Sequence, residues 1–328
     1  MLWFCLACGR NTSSSQEQTS GAQSAISKRQ STTQAAIEKP TELVKPTVLT
    51  QLPISAYQAS LALDGDTVYL LSRDSAFRLG PGQPAHGIKL SLGIGPTLTQ
   101  SAFIFWSNGR IWQAPKEGGV TREIAKFAHQ PQYFVASGNW ISWIDMSEEG
   151  LYTIQTLDKN KPRVLVSSKG ELSALAMIRD TVYFIERPTN TTWRIGTIPV
   201  TGGEPEYGPE RNGRRPSMFS ASESLYYYDV DKSEIRKLLG GVQKEETILS
   251  KFVCSPIYVS SRIHCGCVEG LFEVSKETHK PHVLVATRTG NITNIVSNDK
   301  MVVWTVDGGP DQVTVNMLPI ERRDSTSQ

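Results

Sequence analysis

The sequence predicts an all-β fold, a single seven-bladed β-propeller built from four-stranded antiparallel blades. Three observations predict it. A unit of roughly 38 residues recurs after Ser55. Its strands are short runs of Trp, Tyr and β-branched residues, broken by Gly, Asn, Asp and Pro. One pentapeptide pattern occurs three times, as KPTVL, KPRVL and KPHVL at residues 45–49, 161–165 and 280–284.

The second strand of the unit is its clearest part, because each copy is an apolar run rich in aromatic residues. It occurs seven times, at residues 67–73, 102–108, 140–146, 181–187, 224–230, 262–268 and 301–307. A small apolar strand precedes each copy across a tight turn, which is typical of a β-hairpin. A third strand follows, and a Gly-Gly or Lys-Pro turn leads to a fourth. Four such strands, with small residues innermost, indicate a propeller blade.

The last unit is one strand short. Its third strand, at residues 312–320, is followed by the polar run ERRDSTSQ. The segment KPTVLTQL at residues 45–52 has the pattern of a fourth strand, yet it precedes the first unit. We therefore expect this N-terminal strand to pair with residues 313–317 and to close the ring, since closure removes exposed sheet edges.

The repeat resembles a known group of proteins. The pattern of the unit reads, in order, a small apolar strand, then DGDTVY, GxIxRxP and GGxPxxLA. Such units look like the propeller repeats of bacterial secreted and lipoprotein-type proteins, loosely related to TolB-like and NHL-like propellers. LDGDTVYLL, GRIWQAPKEGGVTREIA and the run from IRDTVYFI to TGGEPEYG carry the likeness, within residues 45–320. The resemblance implies the fold and transfers no functional residue, because propellers of one shape serve unrelated tasks.

The sequence divides into four parts. Residues 1–8, MLWFCLAC, resemble the end of a bacterial lipoprotein signal with Cys8 as the lipidated residue, although Cys5 stands where that pattern prefers Leu. The alternative is an apolar terminus without a function. Residues 9–43, rich in Ser, Thr, Gln and Ala, predict a disordered tether. Residues 44–320 form the predicted propeller, and residues 321–328 a disordered tail.

The lipoprotein resemblance implies attachment to the bacterial outer membrane, on its periplasmic or surface side, through the lipid alone. No run of 18 apolar residues is present that would make a membrane-spanning helix. The 34 Lys and Arg residues are scattered and balanced by 32 Asp and Glu, which argues against nucleic-acid binding. We expect a monomeric propeller with an envelope protein or a glycan as its partner, and no cofactor.

Three cysteines of the sixth unit are candidates for a disulfide. If the turn of the hairpin in this unit is centred on Ser260 and Ser261, Cys254 lies opposite Cys267. If the register slips, Cys265 becomes the partner of Cys254 instead. Such a bridge is expected outside the cytoplasm. The alternative is a metal site that adds His264, but alternation along a strand puts His264 on the opposite face from Cys265. We therefore predict no metal site.

Catalytic motifs are missing, since GxSxG, P-loop, HExxH and GxGxxG patterns do not occur. The five histidines fall mostly on outer strands or loops, so we expect surface positions rather than general bases. They are His86, His129, His264, His279 and His282. No catalytic residue is predicted.

The loops that join second to third strands, and each unit to the next, emerge on one face of a propeller. Several of the unit-to-unit loops are basic, which predicts a docking site where Arg214 and Arg215 grip a carboxylate or a phosphate. The alternative is that these loops are merely polar and solvated. The candidate binding residues are Lys169, Arg211, Arg214, Arg215 and Arg288.

Together these observations favour a non-catalytic propeller scaffold, anchored in the envelope, that presents a face for a protein or a polar ligand. The alternative function is an extracytoplasmic propeller enzyme, a hydrolase or lyase acting on sugar or peptide at the axial channel.

Overall fold

A computed structural model describes residues 45–320. Gaps fall at residues 56–58, 73–74, 90–93, 100, 128–130, 132, 159–160, 222, 251–256, 261, 268–269, 276–280, 287–290 and 310. Every regular element of the described ranges is a β-strand. Within them, a helix with the length and hydropathy needed to span a membrane is absent.

The strands form seven antiparallel sheets in a ring, one for each blade, as predicted. The chain begins with β1 (Thr47–Leu52), which belongs to blade 7. Blade 1 comprises β2 (Ser60–Asp64), β3 (Thr67–Leu71), β4 (Ser75–Leu79) and β5 (His86–Lys89). Blade 2 comprises β6 (Ile94–Leu98), β7 (Ala102–Ser107), β8 (Arg110–Pro115) and β9 (Arg122–Lys126). Blade 3 comprises β10 (Tyr133–Ser137), β11 (Trp140–Met146), β12 (Tyr152–Asp158) and β13 (Lys161–Ser168).

Blade 4 has a divided outer strand, and the last three blades each have four strands. Blade 4 comprises β14 (Glu171–Ile178), β15 (Thr181–Arg187), β16 (Thr192–Pro199), β17 (Glu206–Tyr207) and β18 (Arg211–Asn212). Blade 5 comprises β19 (Ser217–Ala221), β20 (Ser224–Asp229), β21 (Glu234–Leu238) and β22 (Glu245–Ser250). Blade 6 comprises β23 (Ile257–Val259), β24 (Ile263–Cys267), β25 (Gly270–Val274) and β26 (Pro281–Ala286). Blade 7 comprises β27 (Ile292–Ser297), β28 (Met301–Asp307) and β29 (Val313–Pro319), and β1 is its fourth strand.

The meander within each blade sorts the loops onto two faces of the ring. Connections between second and third strands, and from blade to blade, lie on what we call the 2–3 face, which contains residues 147–151 and 188–191. Turns between first and second strands lie on the opposite hairpin face, which contains residues 179–180 and 298–300. First strands of neighbouring blades contact each other, for example β10 with β14 and β14 with β19, so they lie nearest the axis.

The two ends of the described chain close the ring. β1 pairs antiparallel with β29, with Leu52 opposite Val313 and Thr47 opposite Met317. A register shift between Val48 and Thr50 leaves Leu49 to pack, buried, in the cluster that contains Val313 and Met317. The predicted closure by the N-terminal strand is confirmed, and it covers the edge that β29 would otherwise expose.

Large aromatic residues fill the gaps between blades. Trp143 of blade 3, Trp193 of blade 4 and Trp304 of blade 7 are fully buried, each in a cluster shared with a neighbouring blade. An aromatic side chain removes up to about 150–250 Å² from water, so these residues hold adjacent blades together. The wedge-filling role of the second and third strands follows from this packing.

The outer strand of blade 4 is interrupted between Tyr207 and Arg211, and both halves pair with β16. Pro209 lies in the break and has no N–H to donate to a sheet. Gly208 fits there because a Cβ would lie 2.5 Å from the carbonyl oxygen of Val242 in blade 5. This break frees Arg211 to turn toward blade 5.

The disulfide prediction assumes a pairing register between the first two strands of blade 6 that is one residue off from the observed one. Val259 pairs with Ile263, because the connection between β23 and β24 has three residues instead of two. Cys265 is a free, buried cysteine, so its proposed bridge to Cys254 is not formed. Cys254 lies outside the described residues, and its pairing with Cys267 stays a prediction.

Candidate functional site

Two groups of ionisable side chains bridge neighbouring blades, one near each face of the ring. The first, which we call the mouth patch, lies on the 2–3 face. It consists of Tyr133, Met146, Tyr152, Glu171, Arg187 and Arg215. Tyr133 begins β10, Glu171 begins β14, and Arg215 comes two residues before β19. The patch therefore spans the starts of three consecutive first strands, next to the axis.

Two arginines share a single carboxylate in the mouth patch. Arg187 Nη1 donates to Oε2 of Glu171 at 2.9 Å, and Arg215 Nη1 donates to Oε1 of the same residue at 3.2 Å. Arg215 Nη1 also donates to the hydroxyl of Tyr133 at 3.1 Å, so one side chain joins blades 3, 4 and 5. The side chains of Arg187, Arg215 and Glu171 remain 23%, 28% and 34% exposed. Solvent therefore reaches this ion pair.

Blade 3 adds apolar and aromatic surface beside the arginines. Met146 lies opposite Tyr152 across β11 and β12, on the same face of the blade as Tyr133. Met146 and the adjacent loop residue Leu151 are 38% and 37% exposed. Burial raises the pKa of Tyr133, which keeps its hydroxyl neutral and available as a hydrogen-bond partner. The patch thus combines cationic, aromatic and apolar groups.

The basic run at residues 211–216 does not act as one cluster. Arg211 holds Glu245 with two hydrogen bonds, at 2.9 and 2.6 Å, between blades 4 and 5. Arg214 pairs with Asp231 at 2.6 Å and is exposed. Gly213, at φ +121°, turns the chain between these two arginines. The three arginines consequently face three different carboxylates.

Two other predicted binding residues have separate outcomes. Lys169 is exposed, two residues before Glu171, on the rim of the mouth patch. Arg288 lies outside the described residues. Of the five candidates, Arg215 is the one whose side chain contacts the mouth patch. Arg187 was missed, because it ends a strand that the sequence marks only as apolar; its cross-strand neighbour Glu171 is the signal that identifies it.

Three acidic residues at the ends of second strands, Asp145, Glu186 and Asp229, are buried instead of solvated. Asp145 accepts a hydrogen bond from the Met146 amide at 2.9 Å. Asp229 accepts from the amides of Asp231 and Lys232, both at 3.2 Å. Glu186 is held by Arg194 and Ser168. These carboxylates hold the loops of the 2–3 face through internal hydrogen bonds.

The second group, which we call the histidine row, lies near the hairpin face between blades 6 and 7. It consists of Ser260, Arg262, His264, Glu273, His282 and Ser297. His264, Glu273 and His282 lie directly opposite one another on β24, β25 and β26. Their shared face looks toward Ser297, the last residue of β27 in blade 7.

The histidine row is a chain of polar contacts. Ser260 Oγ lies 2.9 Å from Ser297 Oγ, which lies 3.0 Å from His264 Nδ1. His264 Nε2 lies 3.6 Å from Oε2 of Glu273. Arg262 Nη1 donates to both carboxylate oxygens of Glu273, at 3.0 and 2.8 Å. Burial alone raises the pKa of Glu273, but His264 and Arg262 outweigh it and lower that pKa to about 2.

The row has the order of a serine nucleophile, a histidine base and a carboxylate that orients the base. His264 is 0% exposed, however, and Ser297 only 3%. In this arrangement a substrate atom has no access to either residue, so the row acts as a polar joint between two blades. The expectation that the histidines lie at the surface is wrong for His264, because strand alternation turns it toward blade 7 while Cys265 faces blade 5.

No group of three or more His, Cys, Asp or Glu side chains is arranged to hold a metal ion within the described part of the chain. His264 is one of these described residues, and its side chain points away from the Cys265 side of the blade, as strand alternation predicts.

Comparison with solved structures supports the fold. Oligogalacturonate lyase from Vibrio parahaemolyticus is similar, with a TM-score of 0.64 and 14% identity over 86% of this chain and 95% of that one. A catalytically inactive virginiamycin B lyase from Staphylococcus aureus, solved with quinupristin, has a TM-score of 0.58 and 12% identity, covering 84% and 98%. The chain is a propeller.

A third similar structure is a puromycin-hydrolysing peptidase from Mycobacterium tuberculosis, with a TM-score of 0.59 and 14% identity. The match covers 85% of this chain and 54% of the peptidase. At these identities the likeness shows the fold alone. No family model matches the sequence, and no curated protein does. The propeller part of the sequence resemblance is confirmed, while its lipoprotein part stays a prediction.

Proposed function

We propose that the protein is a non-catalytic propeller scaffold of a bacterial cell envelope, which binds a partner protein through the mouth patch. The observation that carries the proposal is the composition of this patch: two partly exposed arginines and two tyrosines beside exposed Met146 and Leu151. Arg, Tyr and Met are enriched in protein–protein interfaces, and Arg and Tyr dominate their binding energy.

Four of the described carboxylates are suited to structural ion pairs, because their neighbours lower their pKa values. Hydrogen bonds from arginine lower the pKa values of Glu223 and Asp231. Burial alone would raise those of Glu245 and Glu273, but their cationic neighbours lower both. These groups stay anionic at neutral pH, whereas a carboxylic general acid needs a raised pKa. They are suited to holding blades in place.

Envelope attachment is part of the proposal and rests on the sequence of residues 1–8. Lipidation of Cys8 would hold the propeller at the membrane by acyl chains worth about 0.8 kcal/mol per buried CH₂. Mass spectrometry of the native N-terminus should find diacylglycerol and an acyl group on Cys8. A Cys8→Ser variant should move to the soluble fraction. An unmodified, membrane-free wild-type protein would rule the anchor out.

Site-directed photocross-linking in the native host tests the binding face. A photoreactive residue at Leu151, on the 2–3 face, should form one discrete cross-linked product. The matched control is Val120, which is 90% exposed in the turn between β8 and β9 on the hairpin face. We expect no product from Val120. Equal products from both positions, or none from Leu151, would contradict the proposal.

A second candidate function is the propeller enzyme acting on sugar or peptide. The observation that favours it is the serine–histidine–carboxylate order of the histidine row, which could react only if blades 6 and 7 part enough to expose Ser297. A fluorophosphonate probe, which reacts with activated serines, decides between the two. Labelling of Ser297 that disappears in a His264→Gln variant would support the enzyme. Absence of labelling supports the scaffold.

A further inference from the structure

We infer that the mouth patch is a carboxylate-binding site for an acidic–apolar peptide segment, whose Asp or Glu side chain takes the place of Glu171 between Arg187 and Arg215. The inference rests on the proposed function and names the chemistry of the partner. Glu171 then acts as an internal stand-in that occupies the arginines while the partner is absent.

The charge balance of the patch leaves room for a second carboxylate. Arg187 and Arg215 share one carboxylate, that of Glu171, and exposed Lys169 lies two residues before Glu171 in the chain. The pair formed by Arg211 and Arg236 differs, because Glu245 and Glu234 supply two carboxylates there. The two arginines thus carry one positive charge more than Glu171 neutralises, and an acidic ligand would neutralise it through charge-assisted hydrogen bonds.

An unused donor supports the same conclusion. The Nε atom of Arg187 is buried and has no hydrogen-bond partner. An unsatisfied buried donor is destabilising. A carboxylate that binds the guanidinium side-on would satisfy it and would share Nη2 with the carbonyl of Asn190, which already accepts a hydrogen bond from that atom. Glu171, which contacts only the Nη1 atom, does not.

The surroundings of the arginines indicate a peptide and restrict its sequence. Met146 and Leu151 offer apolar surface next to the carboxylate site. Glu148 and Glu149, exposed in the same loop of blade 3, would repel a run of acidic residues. The favoured segment therefore has one acidic residue flanked by apolar ones. A continuous acidic stretch is disfavoured.

Fluorescence anisotropy with defined probes tests this assignment. The probes are a labelled peptide with one Glu flanked by Leu and Met, and the same peptide with Gln in place of Glu. We expect the Glu peptide to bind the wild type about tenfold more tightly than the Gln peptide, as expected for one charge-assisted contact. Arg215→Gln should remove this difference.

The sharpest expectation concerns Glu171→Gln. Because the variant removes the internal competitor, it should bind the Glu peptide several-fold more tightly than the wild type does. A role limited to folding would leave the affinity unchanged or weaken it. Arg179 and Glu223 form a comparable but exposed pair on the hairpin face. Arg179→Gln and Glu223→Gln serve as matched controls and should leave both affinities unchanged.

Other outcomes overturn the inference. Equal affinity for the Glu and Gln peptides would do so, and so would an unchanged affinity in Glu171→Gln whose circular dichroism matches the wild type. Arg215-dependent binding of a uronic-acid oligosaccharide in place of the peptides would assign the site to a glycan. If Leu151 still cross-links a partner while the peptides fail, the binding face stands and only its acidic specificity is wrong.

Discussion

The mouth patch and the histidine row are built from the same kinds of side chain and differ in their contact with water. Each places an arginine on a glutamate and links neighbouring blades. In the mouth patch all charged side chains are about a quarter to a third exposed. In the row Arg262 and His282 are similarly exposed, but the central His264 is fully buried and Glu273 is 12% exposed. An exposed ion pair is weak and can exchange partners. A buried one cannot lose a member without leaving the other uncompensated.

The largest effect should come from breaking the histidine row. Glu273→Ala leaves Arg262 and the buried His264 without their anion, so we expect the free energy of unfolding to fall by about 3 kcal/mol. Urea denaturation followed by tryptophan fluorescence measures it. Glu273→Gln, which keeps the volume and one acceptor, should lose less. A loss below about 1 kcal/mol in the Ala variant would remove the distinction between the two regions.

Acid should weaken the row as well. The pKa of Glu273 is about 2 in the folded protein, below its ordinary value of 4.5, so its stabilisation is fully present above pH 4.5. That stabilisation is lost as the pH falls from 4.5 toward 2. Allowing for partial screening by solvent, the loss is about 2 kcal/mol. Melting temperatures between pH 2 and pH 6 should fall less steeply in Glu273→Gln, and parallel curves would argue against this role.

The smallest effect on stability should come from the mouth patch. Glu171→Gln and Arg215→Gln should each change the free energy of unfolding by less than about 1 kcal/mol, because the pair is partly solvated. The same urea experiment measures this. A loss as large as that of Glu273→Ala would mean that the patch is a structural joint, and the carboxylate site would then lose its basis.

Much of the fold could be predicted because the unit repeats. The observed second strands, such as Thr181–Arg187 and Met301–Asp307, coincide with the predicted runs. Because the last unit lacks a fourth strand in the sequence, the N-terminal strand β1 is predicted to complete it, and its pairing with β29 confirms this. Turn length was harder, since one extra residue after Val259 moves every later pairing by one position. Turn geometry of this kind depends on local φ and ψ angles that hydrophobic pattern does not encode.

The candidate site could be predicted only in part. The basic character of the 2–3 face was visible in the sequence, and Arg215 was among the candidates. Its partners were not visible, because Tyr133 and Glu171 lie 82 and 44 positions away on other blades. The buried contact between His264 and Ser297 likewise crosses from blade 6 to blade 7. No pattern within one unit shows which side chain of the next blade will face it.

The sequence by itself determined the number of blades, the order of strands and the closure, because each follows from periodicity along one chain. Only the tertiary structure decided which charged residues stay partly hydrated and which become enclosed between blades. That choice depends on how deep a side chain lies between two packed blades, since depth sets both its hydration and its partner. Arg215 and Arg262 are about equally exposed, and it is their carboxylate partners that differ in depth, since Glu171 is 34% exposed and Glu273 is 12% exposed.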